Sequence, residues 1–555
     1  MADELLDLIR EVSVQSGDRP AVIQAGGDPD RVISWGELFR SAAAVRAAAE
    51  ARRGEEGGGP GPAALLLAGN DPRIVPLLFG LIGKNGALPI NPMLPVDACV
   101  HLLRESGASE LIFDPADPAL SARGREVAAR AGGRVRLIPA PDAFQASGAD
   151  LPRASGAGRL LIHTSGSTGS PRIAQHEVGR LVGVTDAWAA TLYGDHPVLL
   201  SLAPLFSAAG LLGGIVFCAR RGGTLIIPGG AGPACPEFQR DLPRILRDHG
   251  PEMILAIPPV LRRMGPLSPL LRGRLRAVVS GGMLLSDPAG VEISGQFGVP
   301  YHHLYASSEM SVMSVTTYLP DGHVLGRMRP EVVSVRVEDP DTGAPCPTGE
   351  AGELRVSSPL LPTEGPYAAP RPQDMGRSGF RTGDFGLIDK TGRLILTGRM
   401  SDLVKYNGRR VPMLPVEEAA HRLTGLPCAC VQGPDPDSGE TISLFIEGAP
   451  PEDLMTRLRG LLPDPACAPR RVIPLDRLPL AGLGKPDRSA LTRISHQRIA
   501  EELLEAAGVS GTVLVAGTLR SGLTLEVRSE ATTERVMAAF RGAFGSVQVR
   551  PVQDD

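Results

Sequence analysis

The sequence predicts an α/β protein with a large N-terminal part built on doubly wound sheets, followed by an antiparallel β stretch, a small second domain and an α/β tail. Three observations carry that prediction. Short apolar runs alternate with helix-patterned stretches through the first part of the chain. The texture changes near Gly326, where β-branched runs follow one another across a turn. A further boundary falls near Arg399, beyond which a smaller α/β pattern and then a separate tail appear.

In chain order, Trp35-Gly36-Glu37-Leu38-Phe39 opens an Ala-rich helix reaching about Arg52, and the glycine-rich run 54–61 breaks it. Residues 63–67 read as a buried strand and 72–82 as a helix beside it. Further strands are expected at 87–90, 110–113, 159–162, 198–201 and 224–227. Such strands, spaced by helices, imply parallel pairing. Residues 332–337 and 352–356 read as antiparallel strands around the turn Asp341-Thr342-Gly343. The small domain then predicts a helix at 415–421, strands at 428–432 and 441–447, and a helix at 452–462. In the tail, helices are expected at 498–507 and 533–544, with strands at 512–516, 523–527 and 547–549. The resulting domains are 1–399, 400–495 and 496–555.

A chain of 555 residues exceeds one compact core, and 43% hydrophobic residues suffice for a large interior. Charged residues at 21% with a net charge of -4 argue against a charge-driven nucleic-acid binder. No run approaches the roughly 20 apolar residues that span a bilayer, so no membrane partner is expected. The acidic start Met1-Ala2-Asp3-Glu4 is unlike a secretory signal. The seven Cys are scattered without zinc spacing and read as buried free thiols, which implies a cytoplasmic setting.

The sharpest chemical signal is His163-Thr164-Ser165-Gly166-Ser167-Thr168-Gly169-Ser170-Pro171-Arg172, directly after the apolar strand Leu160-Leu161-Ile162. Small hydroxyl residues between glycines let backbone N–H groups and side-chain hydroxyls surround a polyphosphate, and Arg172 adds charge-assisted contacts. It is not a Walker A loop, which would end in Gly-Lys-Ser/Thr. A Ser/Thr/Gly run alone also describes a surface turn, but its place after a buried strand favours the phosphate reading.

This loop resembles the signature of the adenylate-forming superfamily of acyl-CoA synthetases, peptide-synthetase adenylation domains and luciferases, with Arg172 in place of the usual Lys. Other motifs follow in family order. Ser280-Gly281-Gly282-Met283 resembles the adenine wall. Tyr305-Ala306-Ser307-Ser308-Glu309 is similar to Tyr-Gly-x-Thr-Glu, with Ala306 replacing Gly. Phe380-Arg381-Thr382-Gly383-Asp384 matches Arg-Thr-Gly-Asp, and Gly398-Arg399-Met400-Ser401-Asp402-Leu403-Val404-Lys405 resembles the hinge motif, with Ser401 for the first acid. Leu483-Gly484-Lys485-Pro486-Asp487-Arg488 resembles Gly-Lys-x-x-Arg.

The resemblance implies a large domain with a barrel-like β subdomain and a small mobile α+β C-terminal domain. It assigns ATP to Thr164, Ser165, Gly166, Ser167, Thr168, Gly169, Gly281, Gly282, Tyr305, Ser308, Asp384 and Arg399, and Mg²⁺ to Glu309. Lys485, Arg172 and Glu309 are the implied catalytic residues, and Ser401 and Asp402 the hinge. Pro204-Leu205-Phe206-Ser207 resembles the segment beside the acyl pocket. Ser207 stands near where amino-acid-activating domains carry an Asp, which argues against a free α-amino acid. Phe206, Ser207 and His303 are therefore candidate pocket residues, with His302 beside them. The small residues from Ser207 to Gly214 fit either room for a bulky acid or close core packing.

The implied activity is ATP-dependent activation of a small-molecule acid as an acyl-adenylate, pyrophosphate leaving, and transfer to a thiol, foremost CoA. Alternatives are another acceptor (a carrier protein or an amine), an unusual oxyanion such as nitrite, or a nucleotide-binding regulator without catalysis. No chemistry is legible in 496–555, which reads as a packing or dimerisation module.

Overall fold

The computed structural model describes all residues except 1–3, 28, 55–60, 83–85, 133–134, 145–157, 165–170, 180–187, 189–191, 193, 230–235, 329–332, 358–378, 407–408, 436–438, 463–467, 481–485, 519–521, 541–542, 545–546 and 551–555. The chain forms two compact units. One comprises Met1–Arg336, Arg355–Arg381 and Lys390–Leu394; the other comprises Val337–Leu354, Thr382–Asp389 and Ile395–Asp555.

Two sheets build the first unit. In the six-stranded sheet the order is Arg136–Pro139, Glu110–Phe113, Ala63–Leu66, Ala87–Pro89, Arg159–Thr164, Arg172–Glu177. Its strands are parallel until the last pair, which is antiparallel. The nine-stranded sheet runs Val324–Met328, Ser311–Tyr318, Tyr301–Ser307, Ala277–Gly281, Met253–Leu255, Val198–Ser201, Thr224–Pro228, Pro20–Ala25, Arg31–Ser34. Parallel pairing holds from Tyr301–Ser307 to Pro20–Ala25, and antiparallel strands flank it. The doubly wound expectation thus describes the sheet centres, while antiparallel hairpins occupy edges that strand spacing alone does not reveal.

Alternation along a buried strand feeds two cores at once. Leu65 joins the core that also holds Val22, Leu199 and Leu225 of the nine-stranded sheet, whereas Ala64 and Leu66 face the opposite core with Leu102 and Leu111. Between the sheets lies helix Ile74–Ile82, apolar all round and buried at every position. Gly80 lets it approach helix Trp35–Gly54, because a Cβ there would sit 2.6 Å from the Ala42 carbonyl oxygen.

A four-stranded sheet, Ser334–Glu338, Gly352–Ser357, Phe380–Ile388 and Leu394–Arg399, contains residues of both units. The second unit continues with a five-stranded sheet in the order Arg409–Pro412, Leu403–Tyr406, Gly439–Glu447, Cys428–Asp435, with Arg471–Leu475 added parallel to Gly439–Glu447. A three-stranded sheet of Thr512–Thr518, Gly522–Arg528 and Val547–Arg550 ends it. One continuous helix, Arg488–Ala506, serves both sheets. It buries Leu491 with Phe445 of the larger sheet and Ala500 and Leu504 with Val513 and Leu525 of the terminal one. Among the described residues no helix is long and apolar enough to cross a membrane.

Candidate active site

The phosphate-loop sequence joins two paired strands. Leu160, Leu161 and Ile162 are buried, as the first strand's position inside the sheet demands. Thr164 lies opposite Arg172 in the antiparallel register and His163 opposite Ile173. Arg172, expected to close the loop, is also the first residue of the return strand, so the pairing fixes both loop ends. Ser165, Gly166, Ser167, Thr168 and Gly169 lie outside the described residues, as does the Thr164 side chain.

Gly281 and Gly282 are glycines for different reasons. Gly281 pairs with Leu304, and a Cβ there would come within 3.1 Å of the Leu304 carbonyl oxygen. Gly282 has φ +76°, the left-handed region that L side chains rarely adopt. Strand Tyr301–Ser307 then turns through Ser308, Glu309 and Met310 into Ser311–Tyr318, with a β-bulge at Tyr305/Ala306. A bulge re-aims the side chains beside it. The Ser307 hydroxyl accepts from the Met310 N–H at 3.2 Å and tightens the turn. Tyr305 is buried, and Ser308 and Glu309 are half-buried at the hairpin tip. Glu309 has no hydrogen bond or ion pair to the described residues, so its carboxylate is available to a ligand.

In the second unit, Asp384 and Arg399 come together. The Arg399 Nε donates to the Asp384 Oδ1 at 3.0 Å; the acid is buried and the guanidinium half exposed. Gly383, at φ +69°, kinks strand Phe380–Ile388 just before the buried Asp384, and the Thr382 hydroxyl accepts from the Asp384 N–H at 3.0 Å. Asp402 ends the short helix Met400–Asp402 and is half-buried; the Ser401 side chain lies outside the described residues. So does Lys485, but the residues on either side of 481–485 are described. Leu480 bridges to Pro486, and Asp487 caps helix Arg488–Ala506 by accepting from the Ala490 N–H at 3.1 Å. Arg488 pairs with Glu417 at 2.8 Å and donates to the Cys430 carbonyl. Burial opposes the Arg488 charge, yet Glu417 and Asp402 hold its pKa above the usual guanidinium value.

The expected acyl-pocket residues have other engagements. The Ser207 hydroxyl donates to the Pro204 carbonyl at 2.7 Å and accepts from the Gly210 N–H at 3.1 Å, closing the first turn of a helix. That helix includes the π-helical stretch Ala209–Val216. A Cβ on Gly210 would lie 2.1 Å from the Pro204 carbonyl oxygen, and one on Gly214 3.3 Å from the Ser201 hydroxyl. Close packing therefore accounts for these small residues. His303 is fully engaged as well. Its Nε2 donates to the Met283 carbonyl at 3.0 Å, and its Nδ1 accepts, with Ser280 Oγ at 2.8 Å and Tyr301 Oη at 3.1 Å. The ring thus pins the backbone beside Gly281 and Gly282. His302 Nδ1 pairs with the Thr317 hydroxyl at 2.9 Å. Phe206 stacks on His163 with centroids 6.0 Å apart, which joins this segment to the start of the 164–172 connection.

The family profile of AMP-binding enzymes matches residues 9–363. The chain belongs to the AMP-binding enzyme family. It is similar to a feruloyl-CoA synthase of an Amycolatopsis species, 30% identical over 454 residues that cover 77% of this chain and 87% of the relative. Similarity to the non-ribosomal peptide synthetase CmlP of Streptomyces venezuelae is 28% over 510 residues, covering 88% of this chain and 49% of that one. Among solved structures, the amide bond synthetase McbA from Marinactinospora thermotolerans superposes with a TM-score of 0.71 at 26% identity, covering 87% of this chain and 98% of that one. The large sheet-rich N-terminal part and smaller C-terminal part are the superfamily's fold. This AMP-binding enzyme is an ATP-dependent, AMP-forming acid ligase that makes an acyl-adenylate.

Residue types alone did not single out His163 in this AMP-binding enzyme. Its Nε2 accepts from the Asn91 N–H at 3.0 Å, leaving Nδ1 as the donor, buried and without a partner among the described residues. Burial pushes the pKa of His163, His302 and His303 from 6.5 down to about 4. Between those values the unfolded chain binds protons that the folded chain refuses, so stability is full above about pH 6.5 and falls as pH drops toward 4. Thermal unfolding at pH 7, 5.5 and 4.5 is expected to show a steadily falling midpoint; a flat one would contradict these neutral, buried rings.

Proposed function

We propose that the enzyme activates a carboxylic acid other than a free α-amino acid and passes the acyl group to the thiol of CoA. In the first step a carboxylate oxygen bonds to the α-phosphorus of ATP while the bond to the β-phosphate oxygen breaks and pyrophosphate leaves. In the second the thiol sulfur attacks the acyl carbon, AMP departs, and the thiol proton passes to solvent. The feruloyl-CoA synthase similarity, over most of both chains, supports this acceptor.

In this reading the 164–169 run and Arg172 surround the phosphates, Gly281, Gly282 and Tyr305 flank the purine, and Asp384 and Arg399 hold the ribose. Those two already pair with each other, which gives ribose hydroxyls an acceptor and a donor to share. Ser308 reaches a phosphate. Glu309 suits Mg²⁺, since nucleotide-bound magnesium needs only one or two carboxylates. The ion, when bound, offsets phosphate charge. Lys485 bridges the substrate carboxylate and the nucleotide, so catalysis rests on positioning and charge neutralisation. Residues 1–399 act as the adenylation domain, 400–495 as a small domain turning about Ser401 and Asp402, and 496–555 as an appendage.

The amide bond synthetase and CmlP similarities favour a second reading, in which an amine or a carrier-protein thiol accepts the acyl group. Exchange of labelled pyrophosphate into ATP across aromatic, aliphatic and amino acids identifies the acid. Mass spectrometry of the products with CoA, an amine or a carrier protein then names the acceptor. An acyl-CoA supports the first reading; an amide or acyl carrier formed with no acyl-CoA overturns it.

A further inference from the structure

His176 lies in strand Arg172–Glu177, opposite Leu160 and four positions past Arg172. It is 3% exposed, and its Nε2 stands 2.5 Å from the carbonyl oxygen of Ser308, 132 positions away in sequence. A carbonyl only accepts, so Nε2 carries the proton and the ring is the Nε2–H tautomer. The two partners belong to different sheets of the first unit: one on the hairpin whose loop is the phosphate-binding sequence, the other in the turn that bears Glu309.

That bond fixes more than a distance. The peptide joining Ser308 to Glu309 is planar, so holding its carbonyl toward His176 aims the Glu309 N–H the opposite way. It also sets the direction in which the Glu309 Cα leaves the turn. The return strand has its own anchor, since the Trp188 indole N–H donates to the Val312 carbonyl at 3.2 Å. Removing the His176 donor therefore unties the Ser308 carbonyl from the hairpin, while the Ser307–Met310 bond and the Val312 anchor remain.

We infer that His176 is a positioning residue for adenylate formation: it locks the phosphate-loop hairpin to the Tyr305–Glu309 turn, so that the groups on both meet one nucleotide. The inference rests on the nucleotide-site assignment above. It predicts an effect on ATP and little on the acid, because the tie joins two nucleotide-facing segments.

The test uses the full chain with His176→Phe, which keeps an aromatic volume without a donor, and His176→Gln, whose amide nitrogen can replace Nε2. Calorimetric titration with magnesium ATP alone is the direct readout. The Phe variant is expected to bind ATP about 5- to 10-fold more weakly, the worth of one buried hydrogen bond, with the Gln variant within about 3-fold of the parent. In pyrophosphate exchange the KM for ATP should rise in the Phe variant while that for the acid stays put. Equal ATP affinity in the parent and the Phe variant, equal losses in Phe and Gln, or an acid KM that rises as far as that for ATP would each overturn the proposal. If the Phe variant does not fold, the Gln variant decides: ATP affinity near the parent's supports the tie, and a loss of 10-fold or more overturns it. A parent chain that binds no ATP would overturn the nucleotide-site assignment too, whereas a parent that binds and a Phe variant that binds equally sinks this inference alone.

Discussion

Replacing Lys485 with alanine is expected to lower adenylate formation by roughly 100- to 1000-fold, the usual loss when one donor to developing transition-state charge is removed. A carboxylate approaching ATP meets like charge, and a lysine between the two anions offsets that repulsion where it is greatest. Thermal unfolding should not move. Leu480 and Pro486, which flank Lys485 in sequence, bridge to each other, and beyond them Asp487 and Arg488 are tied to the helix cap, Glu417 and the Cys430 carbonyl. Truncating a side chain between those anchors leaves each of them intact. Exchange assays with a melting curve separate the outcomes: unchanged exchange refutes the role given to Lys485, and a lowered melting point would mean that the residue also supports the fold.

The second large effect is expected from Asp384→Asn. Asp384 is 6% exposed and faces a guanidinium, and its two carboxyl oxygens can accept from both ribose hydroxyls. An amide keeps the size but loses the charge, one acceptor and the partner of Arg399. Charge-assisted hydrogen bonds carry about 1.5–3 kcal/mol, which corresponds to a rise of roughly 10- to 100-fold in the KM for ATP. The KM for the acid should hold. The local strand geometry should survive, because Thr382 is bonded to the Asp384 backbone N–H rather than to its carboxylate. An unaltered KM for ATP would remove Asp384 from the nucleotide site.

How much of this could be read from the sequence depended on whether the signal was local. Leu160-Leu161-Ile162 and Ala63-Ala64-Leu65-Leu66 announced themselves because a strand covered on both faces must be apolar throughout. Met253–Leu255 did not, since three residues are too few to show a period. The direction of the chain after the phosphate loop was also hidden: Ser, Thr and Gly suit any tight connection, and only the pairing of Arg172 with Thr164 shows a hairpin. The small residues after Ser207 are as useful to a wide pocket as to a close helix, and the Gly210 approach to Pro204 is what favours packing. His303 and His176 act through partners far from them in sequence, Ser280 and Ser308, and no spacing rule encodes those meetings. The Asp384–Arg399 pair is the converse case: family order assigns both residues to one ribose, and the structure brings the two side chains to 3.0 Å of each other.

Acyl-adenylate formation turns on which atom attacks ATP. With the acid labelled with oxygen-18 in both carboxylate positions, direct attack on the α-phosphorus leaves one labelled oxygen in the AMP once the acyl group has been transferred. Mass spectrometry should therefore find AMP heavier by one oxygen-18, with pyrophosphate unlabelled. Unlabelled AMP, or ADP and phosphate in its place, would contradict formation of an acyl-adenylate by this enzyme.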